Sequence, residues 1–363
     1  MLSQITSRAA ALVILIVAFA SGVTPSRASL SASSLGQVGT VLGDVAMAQC
    51  ATDTSLATEM DIGLFVNRVV NESALNCRQL VDVDVRDTGG IDRFSGVFYN
   101  VGPGRVVQYV LQVNGTDWQN FVDEMETRSG RWLDIEVGYF DGNKRWSGLF
   151  MEESVDHEAA IHTTNTPQEF QDRLKQYLDA GFSLIDFESY EEPGGDTKYA
   201  GLWVRHETLP RTHLYMHLTW DDITDANDRS LTDPLQGRII DIERYVNQWG
   251  RTRYGVIVAN YPGGEQVVTW RRPIADLPAD DTSYADADTF LSDLEVWDAG
   301  GGDIRYLGVW GDTWKSLHEV DPLPPMNDIG MNQPLVDLLQ SFEDPNGNFG
   351  NPNNPITGRA GLF

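Results

Sequence analysis

One short pattern occurs five times along this chain, and any fold must find an equivalent place for each copy. It consists of an acid, an apolar residue and a second acid: Asp82 and Asp84, Asp134 and Glu136, Asp186 and Glu188, Asp241 and Glu243, Asp293 and Glu295. First members are spaced 52, 52, 55 and 52 residues apart. A basic and an aromatic residue follow each pair after a turn, as Arg93-Phe94, Arg145-Trp146, Lys198-Tyr199, Arg253-Tyr254 and Arg305-Tyr306. Most copies then add a glycine and a hydrophobic pair, as in Gly96-Val97-Phe98, Gly148-Leu149-Phe150, Gly201-Leu202-Trp203 and Gly308-Val309-Trp310. A recurrence of this length is the mark of a repeat protein.

Local signals give each unit its shape. Ahead of the second pair, Trp118, Phe121, Val122 and Met125 form one helical face, with Thr116 and Gln119 at capping-box spacing and Gly130 as the stop. Ahead of the third, Thr166 and Glu169 form the box, Pro167 takes the first helical position, Phe170, Leu174, Tyr177 and Leu178 make the stripe, and Gly181 ends it. Ile62, Phe65, Val66 and Val69 do the same in the first unit, whereas the fourth and fifth lack a clean stripe. After the helix, Leu133, Ile135 and Val137 alternate with Asp134 and Glu136, which predicts a strand. Asp141-Gly142 predicts a tight hairpin into a second strand over 144–150. A third segment, such as 212–219, is expected to close the unit.

These signals predict an α+β repeat protein of five helix-plus-antiparallel-sheet units of about 52 residues. One such unit cannot cover both faces of its own sheet, so the copies must cover each other. Closing the row into a five-bladed, propeller-like ring removes the exposed end faces that an open repeat array must cap, and the ring is the expected arrangement. The expected boundaries are 51–114, 115–164, 165–219, 220–271 and 272–325, with a linker at 29–50, a capping helix segment at 326–343 and a disordered tail at 344–363.

A helix ending in glycine, then Leu-x-Asp-Ile-Glu, then Arg-Tyr or Arg-Trp and Gly-Val-Trp resembles the bacterial tandem repeat domain. This module also forms the amino-terminal region of secreted polyglycine hydrolases. The resemblance covers roughly 55–320 and implies a secreted repeat scaffold. In those proteases a serine beta-lactamase-like domain follows. Here no Ser stands three residues before a Lys, the pair such a nucleophile needs, so the catalytic function is not expected to carry over.

Charge and address narrow the function. The formal net charge is −27, which repels nucleic-acid backbones and anionic lipid surfaces. Residues 1–43 hold no Asp or Glu, carry Arg8 and Arg27, and contain an apolar run from Ala9 to Ala20. The run is too short to span a bilayer and predicts a signal peptide over 1–28, with Ala18-Phe19-Ala20 an earlier cleavage option. The mature chain is therefore expected outside the cytoplasm, extracellular or periplasmic, without membrane insertion. Its two cysteines, Cys50 and Cys77, are expected to form a disulfide in that setting.

The recurring acids admit two readings. With Asp141-Gly142 as a two-residue turn, Ser147 falls opposite Glu136 and Arg145 diagonal to it. A structural ladder is therefore expected in which Arg93, Arg145, Lys198, Arg253 and Arg305 pair with the acids, in keeping with 22 Arg against 4 Lys. Calcium bound by the same acids is the alternative; otherwise no cofactor is expected. His213 and His217, flanking Tyr215 and near His206, could hold a transition metal if the strand folded back. Trp146, Trp203 and Trp310 hold repeat-equivalent positions and are expected in the core. Trp249, Trp270 and Trp314 depart from the repeat and are candidates for binding a peptide or glycan. No Gly-x-Ser-x-Gly elbow or phosphate-binding glycine pattern occurs. The expected function is a non-catalytic, exported binding scaffold showing an acidic, aromatic surface to an extracellular protein, peptide or carbohydrate. The alternative is a secreted hydrolase or a protease accessory subunit.

Overall fold

The computed structural model describes residues 54–311 apart from 89, 103–104, 141, 155–156, 206–210, 224–236, 248–249, 261–265 and 286–288. The signal segment, Cys50, His206, Trp249, Trp314, the capping segment and the tail fall outside the described residues. Within them the chain forms five three-stranded antiparallel sheets with interspersed helices. The first unit is β1 (Ser55–Met60), α1 (Ile62–Asn71), β2 (Gln79–Asp87) and β3 (Asp92–Tyr99). The second is β4 (Val106–Val113), α2 (Gly115–Met125), β5 (Gly130–Phe140) and β6 (Asn143–Glu152). The third is β7 (Glu158–Asn165), α3 (Pro167–Asp179), β8 (Ser183–Glu191) and β9 (Thr197–Arg205). The fourth has β10 (Thr212–Leu218), a helical start at 220–223, β11 (Gly237–Val246) and β12 (Thr252–Asn260), and the fifth β13 (Gln266–Pro273), α4 (Leu277–Tyr284), β14 (Phe290–Asp298) and β15 (Ile304–Gly311).

In every sheet the last strand of the unit lies in the middle, as in β1-β3-β2. The outer two strands therefore run in the same direction, and such strands cannot be joined by a tight turn. The helix is the crossover between them. This explains why the expected third strand opens a unit instead of closing it: β10 pairs with β12, so 212–218 belongs to the fourth unit and not the third. The hairpin register is as expected, with Glu136 opposite Ser147 and Phe140 opposite Asn143.

Two bulges recur at equivalent places. On the opening strand the register shifts at Ala57/Met60, Val110/Val113, His162/Asn165, Tyr215/Leu218 and Thr269/Arg272. Buried Ser95 and Ser147 accept the N–H of Glu59 at 3.2 Å and of Gln112 at 3.1 Å there. On the acid strand one extra residue precedes each first acid, at Leu80/Asp82, Trp132/Asp134, Leu184/Asp186, Ile239/Asp241 and Leu291/Asp293. A bulge re-aims the side chains beside it. Leu133, expected to share a face with Ile135, turns with Asp134 to the opposite side for this reason.

The first three helices start where short polar side chains take their free N–H groups. Asp61 accepts from Leu64 N–H at 3.0 Å, and the Thr166 and Glu169 box forms as expected, with Thr166 N–H donating to Glu169 Oε2 at 2.8 Å. α2 is capped instead by Asn114, which accepts from Thr116 and Asp117 N–H at 2.9 and 3.0 Å. The motif glycine makes room for the helix on the sheet. A Cβ at Gly96 would stand 2.9 Å from Phe65, at Gly148 2.7 Å from Trp118 and at Gly201 3.0 Å from Phe170.

Neighbouring units share their cores. Val110, Trp118 and Ile135 of the second cluster with Ala200 and Leu202 of the third, and Phe65 and Phe94 of the first share a cluster with Phe290, Leu291 and Trp310 of the fifth. At the border of the third and fourth units, a Cβ on Gly255 would lie 2.5 Å from Phe187, whose ring is fully buried. Gly255→Ala should therefore destabilise the protein by about 1–3 kcal/mol in urea unfolding. Gly194→Ala, with nothing within 4 Å of the added atom, should stay within about 0.5 kcal/mol of the parent.

Candidate functional site: an acid-lined cavity

The acid strands stand side by side: β2 beside β5, β5 beside β8, β8 beside β11, β11 beside β14, and β14 beside β2. Their acids meet. A cavity of about 60 Å³ is lined by Asp82, Asp84, Asp134, Glu136, Asp186, Glu188, Asp241, Asp293 and Glu295, together with bulge residues Val81, Leu133, Ile185, Ile240 and Ser292. Asp84, Asp134, Asp186, Asp241, Glu243 and Asp293 are buried, and Asp82, Glu136, Glu188 and Glu295 half-buried.

The partners of these acids are backbone amides, not the expected arginines. Asp134 accepts from Val83 N–H at 2.9 Å, Glu136 from Val85 at 3.4 Å, Asp186 from Ile135 at 2.6 Å, Glu243 from Ser189 at 3.1 Å and Asp293 from Ile242 at 3.1 Å. Asp84 accepts from Val296 N–H. In the first five the acid of one unit serves the strand of the unit before it; in the last, the first unit serves the fifth. Among the described residues no basic repeat partner reaches one of these acids. Arg93 donates to the Glu59 carbonyl at 3.5 Å, Arg253 to that of Thr252 at 2.7 Å and Arg305 to that of Arg271 at 3.0 Å. Lys198 faces Glu192 at 3.8 Å, and Arg145 sits opposite Gly138. Arg131 lines the cavity, but its guanidinium is committed to Glu153 at 2.8 Å.

Nine carboxyls around one small cavity cannot all ionise at little cost. At about 4 Å two like charges repel by about 4 kcal/mol even at an effective dielectric of about 20. Burial pushes Asp134 and Glu243 up to about 7. Burial, then mutual repulsion, carries Asp82, Asp186, Glu136, Glu188 and Asp241 well above the usual carboxylate range. Asp134 shares a hydrogen bond with Asp186, and Glu243 with Glu295, contacts that need a proton on one member.

The other sequence candidates are dispersed. His217 is held by Tyr245, with Nδ1 2.8 Å from the phenol oxygen, and burial and then the charge of Arg253 push its pKa down. His213 is lowered by burial and then Arg211. Among the described residues no group of three His, Cys, Asp or Glu side chains is arranged to hold one ion. Trp270, a candidate binding residue, is spent on packing: it stacks on Trp220 at 4.6 Å and donates to Tyr254 at 2.7 Å.

Sequence reasoning missed a second concavity of about 1530 Å³ between α2 and the β7–α3 edge, lined by Val122, Trp146, Ile161, His162 and Tyr177. Trp146 was expected in the core with Trp203 and Trp310. Those two are fully buried, whereas Trp146 is only partly buried, packed against the second unit's core with its Nε1 donating to Thr163 Oγ1 at 3.1 Å. His162 lies 2.7 Å from the Tyr177 hydroxyl, and burial and then the charge of Arg173 push it down to about 4.

Residues 161–206 match the polyglycine hydrolase-like structural repeat. The match runs from within β7 through α3 and β8 to the end of β9, most of one unit. No curated protein matches the chain. The strand order and both bulges of this polyglycine hydrolase-like repeat recur in the other four units.

The repeated acids give stability a definite pH dependence. A folded-state pKa raised above the unfolded one means the fold holds protons more tightly, so this contribution is complete below about pH 4 and is lost as pH rises through about 7. His162 and Glu153, whose values are lowered, act in the opposite sense on the acid side. Asp134→Asn keeps an oxygen for Val83 N–H and removes one titration. In buffer containing a chelator, the Tm of the parent should drop between about pH 6 and pH 8, and that of Asp134→Asn should drop less. Parallel curves would contradict the assignment.

Proposed function

We propose that the protein is an exported, non-catalytic scaffold whose five units close into a propeller-like ring, and that the groove beside α2 binds an extracellular peptide or carbohydrate. Closure is supported by the contact of β14 with β2, the Asp84 bond to Val296 N–H and the stacking of Tyr99 on Phe290 at 4.6 Å. Export rests on the apolar run at 9–20, and a Cys50–Cys77 disulfide would suit that compartment.

The observation that carries binding is that Trp146 is only partly buried. At its repeat position the equivalents Phe94, Tyr199, Tyr254 and Tyr306 are all buried, between 0% and 4% exposed. Only the second unit turns this aromatic toward a groove, beside Ile161 and Tyr177. An aromatic face with neighbouring polar edges suits a sugar ring or an aromatic-binding peptide. The hydrolase reading has one feature in its favour, the proton shared between Glu243 and Glu295. Against it stands size, since about 60 Å³ is far below the roughly 150 Å³ that admits a benzene ring.

Tryptophan fluorescence across glycan and peptide panels should give a saturable change with the parent that Trp146→Ala loses while keeping its Tm within a few degrees. A response that survives Trp146→Ala, or none from the parent with any panel member, would argue against the groove. Turnover of peptide, ester or glycan substrates would argue for the hydrolase.

A further inference from the structure

One wall of the groove beside α2 is the edge of a sheet. In the third unit the order β7-β9-β8 leaves β7 at an edge, and among the described residues no strand pairs with its free side. Such a side carries N–H and C=O groups that its own sheet cannot satisfy. Two bonds to the second unit show which residues present them. Just ahead of β7, His157 N–H donates to the Gly130 carbonyl at 3.2 Å, and near its end the Thr163 carbonyl accepts Lys144 Nζ at 3.0 Å. Backbone groups alternate sides along a strand, so Ala159 and Ile161, between those two, present theirs the same way. Both residues line the groove.

The repeat shows why this stretch is open. Val107 holds the place in β4 that Ala159 holds in β7, each second in its ladder with the middle strand. The Gln79 side chain of the preceding unit takes Val107 N–H at 3.4 Å. Three residues before the next acid pair, Arg131 stands where Gln79 stood. A guanidinium has donors only, and this one is turned to Glu153 at 2.8 Å, so it gives Ala159 N–H no acceptor. Coverage differs as well. The other four opening strands each bury at least one residue ahead of the bulge, whereas β7 buries none between Glu158 and Thr164.

We infer that the groove takes an extended, basic peptide that adds to the free edge of β7 as a further strand. The inference rests on the groove reading above and narrows its ligand to a polypeptide. A row of alternating backbone donors and acceptors is matched by another extended backbone, and not by the hydroxyls of a sugar ring. From His157 to Thr163 the open stretch is about six residue steps, roughly 20 Å. Val122 and Trp146 line the same groove and offer apolar surface to the peptide's side chains. Charge sets its sign. At the Gly130 end stand Glu126 and Glu158, with Glu124 and Glu152 around Arg128, and Arg205 beside Glu158: four acids against two arginines. The C-terminus of α2 adds partial negative charge there. Lys144 occupies the opposite end, so the peptide's basic side chains belong at the Gly130 end.

The test uses the full mature chain and a fluorescein-labelled octapeptide of alternating Lys and Val. Fluorescence anisotropy should show saturable binding that weakens as NaCl is raised from about 0.05 to about 0.5 M. The same octapeptide N-methylated at every residue keeps its side chains and charge but has no backbone donor, and its affinity should fall about tenfold or more. An octapeptide of alternating Glu and Val should bind more weakly by a similar factor. On the protein side, Ala159→Pro removes one edge donor at a position where an edge strand tolerates proline, and should weaken the Lys-Val peptide about fivefold or more. If that variant does not fold, the N-methyl comparison decides. Equal affinity for the two Lys-Val peptides overturns strand addition. So does saturable binding of chitohexaose without binding of the Lys-Val peptide, an outcome that leaves the groove reading in place. No saturable response to peptide or sugar overturns both.

Discussion

A three-stranded sheet has two edges, and each edge strand presents N–H groups that its own sheet cannot satisfy. In this protein one edge of each unit is the acid strand, and the neighbouring unit's carboxylates take up its amides. Val83 and Val85 donate to Asp134 and Glu136. The amides that point away from the sheet recur every second residue, about 6.6 Å along the strand, and acids two residues apart on the adjacent strand have the same pitch. The acid–apolar–acid motif is therefore a side-chain replacement for a β-ladder. It joins sheets that remain separate and fixes their register at the same time. The intervening apolar residue, Ile135 or Ile242, points away from the acids into the core shared with the neighbouring unit.

The rest of the unit follows from keeping that edge against its neighbours. The crossover helix must return the chain over one sheet face, and a ring such as Phe65 or Trp118 can only lie close to the middle strand if the residue beneath it has no Cβ. Gly96 and Gly148 meet that need. In two units the same space is filled from the strand itself, with Trp203 folding over Gly201 and Trp310 over Gly308. The motif glycine and the aromatic two residues beyond it are thus one packing device.

Repeat number, hairpin register, the Thr166 capping box and the burial of Trp203 and Trp310 were all readable in the sequence, because each depends on side chains a few residues apart. Strand order was not: a crossover helix and a hairpin leave the opening strand free to join either neighbour, and only pairing decides. The bulge before each first acid was equally hidden, since Val81, Leu133, Ile185 and Ile240 are aliphatic residues of the kind any buried strand carries. The partners of the acids were misjudged for a different reason. A search by residue type finds arginines, whereas a backbone N–H belongs to every residue and leaves no trace in composition. Trp146 did carry a signal, being the one Trp where the other units have Phe or Tyr, though size alone does not say that the larger ring turns outward.

Repetition and departure from it separate the two candidate surfaces. A feature present in every unit has to serve the contact every unit makes, which is why the acids belong first to the seams and can act jointly only at the cavity they line. There the repeat multiplies a local solution into a collective problem: one acid pair per seam is harmless, but nine carboxyls around one cavity repel, and burial with that repulsion makes them hold their protons. A groove on the periphery has no such constraint, because it is seen by two units rather than five. Partly exposing Trp146 there leaves the buried Phe94, Tyr199, Tyr254 and Tyr306 in place, so a ligand surface on the second and third units can vary while the acid-lined cavity stays as the seams require.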